Sequence, residues 1–84
     1  MAAHISSSQR LAGELRAELA RKKRTAGDAA AAVGITPHTM GRRLNGDSPF
    51  NVIELSVLCR WLDVDVATLV RRAESPASDA AVAS

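Results

Sequence analysis

Apolar and polar positions along the chain sort into five helical stretches. Between Ser8 and Lys22, Leu11, Leu15 and Leu19 recur at every fourth position with Ala12 and Ala20 beside them, while Arg10, Glu14, Arg16 and Glu18 take the other side. This is the pattern of an amphipathic helix. Ser6 to Ser8 offer N-cap hydroxyls, and Arg21, Lys22, Lys23 and Arg24 place cations at the carboxyl end, where they complement the helix dipole.

Thr25 with Asp28 three residues on is a capping-box variant, so a second helix is expected from there through the alanine block to Val33. Its alanines allow a neighbour to approach closely, and Gly34 supplies a left-handed stop. Thr36 is the next N-cap and Pro37 suits the first helical position, so a third helix runs to about Asn45 and ends at Gly46. Two short helices across a tight turn containing glycine outline a helix-turn-helix.

After the polar "GDSPF" loop, Asn51 and Glu54 cap a fourth helix whose Val52, Leu55, Leu58 and Leu62 form an apolar stripe with Cys59 alongside. Asp65 caps a short fifth helix, with Val64 placed to staple onto Leu69. From Glu74 onward "ESPASDAAVAS" has no large apolar residue except Val82, and reads as a tail. The expected organisation is an arm over 1–7, an all-α five-helix bundle over 8–73, and a tail over 74–84.

With 84 residues, the chain has room for one small domain. A single cysteine and two histidines exclude an internal disulfide and leave no zinc-ligand spacing. No apolar run approaches the roughly 18 residues of a membrane span, and the amino end lacks a signal pattern, so a cytoplasmic protein is expected. The net charge of +2 is unevenly placed: residues 1–47 carry eight basic side chains and four acids, residues 48–84 three and five. A basic first half suits a polyanion, and equally suits a solvated helix end.

The stretch "GITPHTMGRRLNG", residues 34–46, carries the most chemistry. At about 100° per residue, Met40 and Leu44 share one face of the third helix with Pro37 near them, and form its buried stripe. His38, Arg42 and Asn45 lie opposite, Thr39 and Gly41 flank them, and Arg43 falls at the border. An α-helix fits the major groove of B-DNA, where arginine to guanine is the commonest specific pairing. Arg42 is therefore the first base-reading candidate, followed by His38 and Thr39 in the first turn; the alternative for each is an ordinary solvated side chain. Gly41 costs a helix about 0.8–1 kcal/mol relative to alanine, which is tolerable where a backbone must approach another surface.

The helix order, with Thr25, Ala30, Gly34-Ile35-Thr36, Met40, Arg42, Gly46 and the closing "LCRWLDVDVATL", resembles the Cro and phage-repressor (XRE-type) helix-turn-helix family over about Ser8 to Arg72. The resemblance implies a third helix in the major groove, a phosphate at the amino end of the second, and a homodimer on two half-sites. Carried over position by position, it implies that Thr36, His38, Thr39 and Arg42 face bases. Thr25, Ala26 through its N–H, and Asn45 would face phosphates, and Arg24 adds a charged contact. Lys22, Lys23 and Arg43 join this set as backbone-neutralising cations.

Four departures stand out. Ala26 replaces a common glutamine, Leu19 and Leu44 replace a common arginine–glutamate pair, and Asp63 replaces the usual glycine between the last two helices. Arg43 occupies a commonly apolar place, where a partly buried cation requires a partner, and Glu54 is the candidate. The chain resembles the small single-domain Cro-like members, which dimerise through the domain itself, here around Phe50, the link between the last two helices or the fifth helix. Trp61 either serves that surface or covers the core. High alanine with nine arginines against two lysines suggests a GC-rich genome, such as that of an actinobacterium or its phage.

The reading is a sequence-specific DNA-binding transcriptional regulator, a phage Cro-like or immunity repressor occupying an operator, with no cofactor and no metal. Its rival is an antitoxin-like or antirepressor-like helical module whose arginines meet an acidic partner. Asp47, an acid in the loop where a phosphate-binding basic residue is expected of a DNA binder, gives that rival weight. An enzyme is not expected, because Cys59 reads as a core residue and neither histidine has a recognisable partner.

Overall fold

The computed structural model describes residues 7–74. Among them five helices follow one another with no strand: α1 (Ser7–Arg21), α2 (Ala26–Val33), α3 (Pro37–Leu44), α4 (Val52–Leu62) and α5 (Val66–Glu74). The expected all-α five-helix bundle is what the chain forms. Residues 1–6 and 75–84, the expected arm and tail, lie outside the described residues except for Ser7, which opens α1, and Glu74, which closes α5.

Each of the last four helices starts on a side chain that accepts from its own first turn. Thr25 Oγ1 accepts the Asp28 N–H and Asp28 Oδ2 accepts the Thr25 N–H, both at 3.0 Å. Asn51 Oδ1 accepts the Glu54 N–H at 2.7 Å and Glu54 Oε1 accepts the Asn51 N–H at 3.1 Å. Thr36 and Asp65 cap α3 and α5 by accepting from Thr39 and Thr68. Orphan amides that would otherwise face water are thereby satisfied within four residues of sequence.

Left-handed residues end three of the helices. Gly34 has φ 86° after α2 and Asp63 φ 59° after α4, as the sequence suggested. Lys23, at φ 57°, does the same after α1, where the Arg24 N–H reaches the Leu19 carbonyl at 2.9 Å. A lysine there is uncommon. Gly46 also has φ 84°, and a Cβ on it would lie 2.7 Å from Gln9 Cγ and 3.2 Å from Gln9 Cα. Only glycine fits both the turn and the side of α1.

The core draws on every helix: Leu15 and Leu19 from α1, Ala29 and Ala30 from α2, Met40 and Leu44 from α3, Leu58, Cys59 and Leu62 from α4, and Leu69 from α5. The buried α2 alanines let α2 lie close to both α3 and α4, while α1 packs along α5 and against α3. Val64 is partly buried against this core, of which Leu69 is a member. Cys59 is enclosed at 1% exposure, and burial, then the charges of Asp65 and Glu18, push its thiol pKa up. Trp61 is half-buried and packs against the core.

The apolar stripes differ from the sequence expectation in four places. Val52 projects into solvent at 78% exposure, because it occupies the first turn of α4, beyond the reach of the neighbouring helices. Pro37 and Ala20 are exposed for the same reason, at the start of α3 and the end of α1. Glu18, placed on the solvated face of α1, is buried instead: α5 covers that flank, and Glu18 receives Arg21 at 2.9 Å, Arg72 at 3.4 Å and Lys22 at 3.8 Å. Three cations compensate one buried carboxylate.

Asp28 links the α2 cap to pH. The Thr25 N–H donated to its carboxylate, then the Thr25 side chain and the Arg24 charge, hold its pKa below the ordinary aspartate value. A depressed folded-state pKa adds stability above the unfolded value, and that stability is lost as pH falls through the folded one. Asp28→Asn is therefore expected to be less stable than the parent at neutral pH, with the gap closing as thermal melts are taken below the ordinary aspartate range. A gap that stays constant with pH contradicts this account of the cap.

Candidate nucleic-acid interface

The turn Gly34 to Thr36 sets α2 against α3, and the two buried side chains of α3 fix which way its other face points. With Met40 and Leu44 inside, His38 and Arg42 stand in solvent and Thr39 is half-buried at the edge. Neither His38 nor Arg42 has a side-chain hydrogen bond or ion pair among the described residues. Thr36 is occupied differently. Its hydroxyl caps α3 and lies 3.0 Å from the Thr39 hydroxyl, so the two threonines form one small unit at the helix start.

Arg43 and Glu54 meet, as the partly buried position required. Nη2 of Arg43 donates to Glu54 Oε2 at 3.0 Å, and Nε lies 2.8 Å from Oε1 but off the hydrogen-bond axis. The Arg43 side chain is 21% exposed and that of Glu54 9%. Because Glu54 also closes the α4 capping box, one carboxylate ties the end of α3 to the start of α4. Arg43 thereby serves the fold.

Where α1, α2 and α3 converge, Arg16, Arg24, Ala26, Gly41 and Asn45 border an open cleft of about 350 Å³ whose apolar wall is Leu19 and Leu44. Arg16 donates through Nη1 to the Leu44 carbonyl at the end of α3. That bond joins α1 to the end of α3, beside the apolar wall of Leu19 and Leu44. The Thr25 hydroxyl satisfies the Asp28 N–H, leaving the Ala26 N–H, one of the orphan donors of the first turn, free of the cap. A Cβ on Gly41 would meet nothing within 4 Å, so packing inside the protein does not require glycine there.

The basic run at the end of α1 divides its work. Lys22 donates to the Leu62 carbonyl at 2.7 Å and so closes α4. Arg24 holds its guanidinium 5.0 Å from the centre of the Trp61 ring, a cation–π contact, while still bordering the cleft. Lys23 is exposed with no side-chain partner among the described residues.

Of the contact residues expected from the sequence, Arg24, Ala26 and Asn45 border this cleft with Gly41, while His38 and Arg42 stand exposed on α3 outside its lining. Arg16, which the sequence marks only as an arginine on the polar side of an amphipathic helix, borders the same cleft. Among the described residues no three His, Cys, Asp or Glu side chains gather as metal ligands, and no helix is long and apolar enough to cross a membrane.

No family model matches the sequence, and no curated protein does. Two crystal structures of the clp gene regulator ClgR from Corynebacterium glutamicum match the chain in three dimensions. One has a TM-score of 0.80 over 87% of this chain and 95% of that one, the other 0.83 over 93% and 83%, each at 22% sequence identity. The chain has the fold of ClgR. At that identity the likeness concerns architecture, and the residues above carry the chemistry.

The α3–α4 tie is open to measurement. Removing one partner of a buried pair costs roughly 3–5 kcal/mol, and this pair is partly exposed, so Glu54→Ala is expected to lose about 1–3 kcal/mol in urea unfolding. The double variant Arg43→Met/Glu54→Leu is expected to recover part of that loss. A Glu54→Ala protein as stable as the parent would show that the pair does not hold the helices together.

Proposed function

We propose that this chain is a sequence-specific DNA-binding transcriptional regulator that occupies an operator as a Cro-like phage or immunity repressor does. The observation that carries the reading is the outer face of α3, where Arg42 and His38 stand unpaired beside a cleft bordered by Arg16, Arg24 and an open helix N-terminus. The ClgR fold, described for a clp gene regulator, supports the same class.

In this reading α3 enters the major groove. Arg42 reads a guanine, with His38 and Thr39 on neighbouring base edges and Thr36 holding the helix start. The Ala26 N–H, Thr25, Asn45, Arg24 and Lys23 position the phosphate backbone, and Arg16 joins them across the cleft. Lys22 and Arg43 move from the phosphate set to the scaffold, since each has a partner within the fold and neither borders the cleft. Arg16, by contrast, borders it and commits only Nη1 to the Leu44 carbonyl. No cofactor or metal takes part, and the site of action is the cytoplasm of a bacterial cell.

A homodimer completes the operator reading. Val52 and Ile53 are 78% and 74% exposed at the start of α4, following Phe50 and the helix cap Asn51. Apolar side chains this open call for a cover. We assign the cover to the same patch of a second copy; a two-fold pair of this kind is what an operator with two half-sites calls for.

Arg42→Ala is expected to leave unfolding unchanged and to weaken specific duplex binding by about 1–3 kcal/mol, relaxing preference at one base. Arg16→Ala is expected to weaken all sequences alike and to lower the salt slope by about one. Fluorescence anisotropy at two salt concentrations separates them, and a uniform loss for Arg42→Ala would remove it from base reading. Gly41→Ala is expected to raise stability by about 0.8–1 kcal/mol while weakening DNA binding; unchanged binding would mean that no phosphate approaches the α3 backbone. Ile53→Asp is expected to give a monomer in sedimentation and lose cooperative half-site binding, whereas an unaltered dimer would place the interface elsewhere.

A further inference from the structure

A second concave surface lies on the other flank of α2, where no α3 residue reaches. Ala31 and Ala32 of α2 face Val57 and Trp61 of α4 across a trough of about 610 Å³, with Arg24 and Asp28 on one rim and Arg60 on the other. Ala31 and Ala32 lie three and four residues after Asp28 on α2, and Arg60 and Trp61 three and four after Val57 on α4, so the trough is the meeting of one stripe from each helix. The alanines are too short to fill it. Trp61, the only tryptophan of the chain, is half-buried in its wall and carries the Arg24 guanidinium on its ring.

The charges on the rim are unequal. Asp28 already accepts the Thr25 N–H, while Arg60 is exposed with no side-chain partner among the described residues. The trough thus offers an apolar floor between two guanidinium groups. It has no roof, so a drug-sized molecule would leave much of its surface in water, whereas small-ligand sites bury roughly 70–90% of theirs. A helix laid lengthwise covers both floor and rims.

We propose that the α2–α4 trough docks an acidic amphipathic helix of a partner protein, with an apolar side chain entering between Ala32 and Trp61 and flanking carboxylates pairing with Arg24 and Arg60. Docking leaves α3 uncovered. Arg24 also borders the cleft with Arg16, so a carboxylate bound to Arg24 draws it away from a phosphate there; this last consequence alone rests on the DNA reading.

The test is panning of a random peptide library displayed on phage against the full chain, without DNA. Retained peptides are expected to combine a Leu, Ile or Phe with flanking Asp or Glu, and, once synthesised, to shift the Trp61 indole N–H in ¹⁵N spectra of the protein. Ala32→Leu, which fills the trough with a good helix former, is expected to weaken them at least about tenfold. Arg60→Glu, at an exposed position, is expected to do the same and covers the case in which Ala32→Leu does not fold. No enrichment, enrichment without acidic residues, or binding that survives Arg60→Glu overturns the proposal. Because no duplex is present, these outcomes are independent of whether α3 reads DNA.

Discussion

The rotational setting of α3 rests on two buried side chains. Met40 at 0% and Leu44 at 5% exposure anchor an eight-residue helix that is too short to hold its own conformation in water. Turning it by one residue would bury Arg43 and Thr39 and expose a methionine. The outward face of His38 and Arg42 is a consequence of that anchoring. Two further bonds hold the far end of the helix, Arg16 of α1 on the Leu44 carbonyl and Arg43 on Glu54 of α4. The exposed face is thus pre-set by contacts on three other helices.

Cations in this small protein serve two purposes that composition does not separate. Lys22, Arg43 and Arg72 are used inward, on the Leu62 carbonyl, Glu54 and Glu18. Arg42, Lys23 and Arg60 point to solvent unpaired, and Arg24 stands between the two groups, stacked on Trp61 yet bordering both concave surfaces. The surplus of positive charge over residues 1–47 is therefore only partly available to a polyanion.

The caps were legible because they are local. Thr25 with Asp28, Thr36 with Pro37, Asn51 with Glu54 and Asp65 each act within one turn, so composition and spacing contain the whole interaction. The Arg43–Glu54 pair was legible for a different reason: a cation at a helix position half turned to the core needs an anion, and one stood at the next helix start. Glu18 was not legible, since Arg72, one of its partners, lies 54 residues away. Helical periodicity identifies the inward side of a helix but not how far along it a neighbour extends, which is why Val52 and Pro37 fall outside the core. The contact of Arg24 with Trp61 and the cleft around Arg16 depend on how α1 crosses α2, α3 and α4, and no spacing within one helix encodes that crossing.

The central claim is that the outer face of α3 reads a base sequence. Its most direct test is selection of random-sequence duplexes by the purified protein, followed by sequencing of what is retained at moderate salt. The account predicts enrichment of a two-fold symmetric motif whose half-sites lie about one helical turn apart, with a guanine at a fixed position in each. Retention without an enriched sequence, or no retention at low salt, would contradict it.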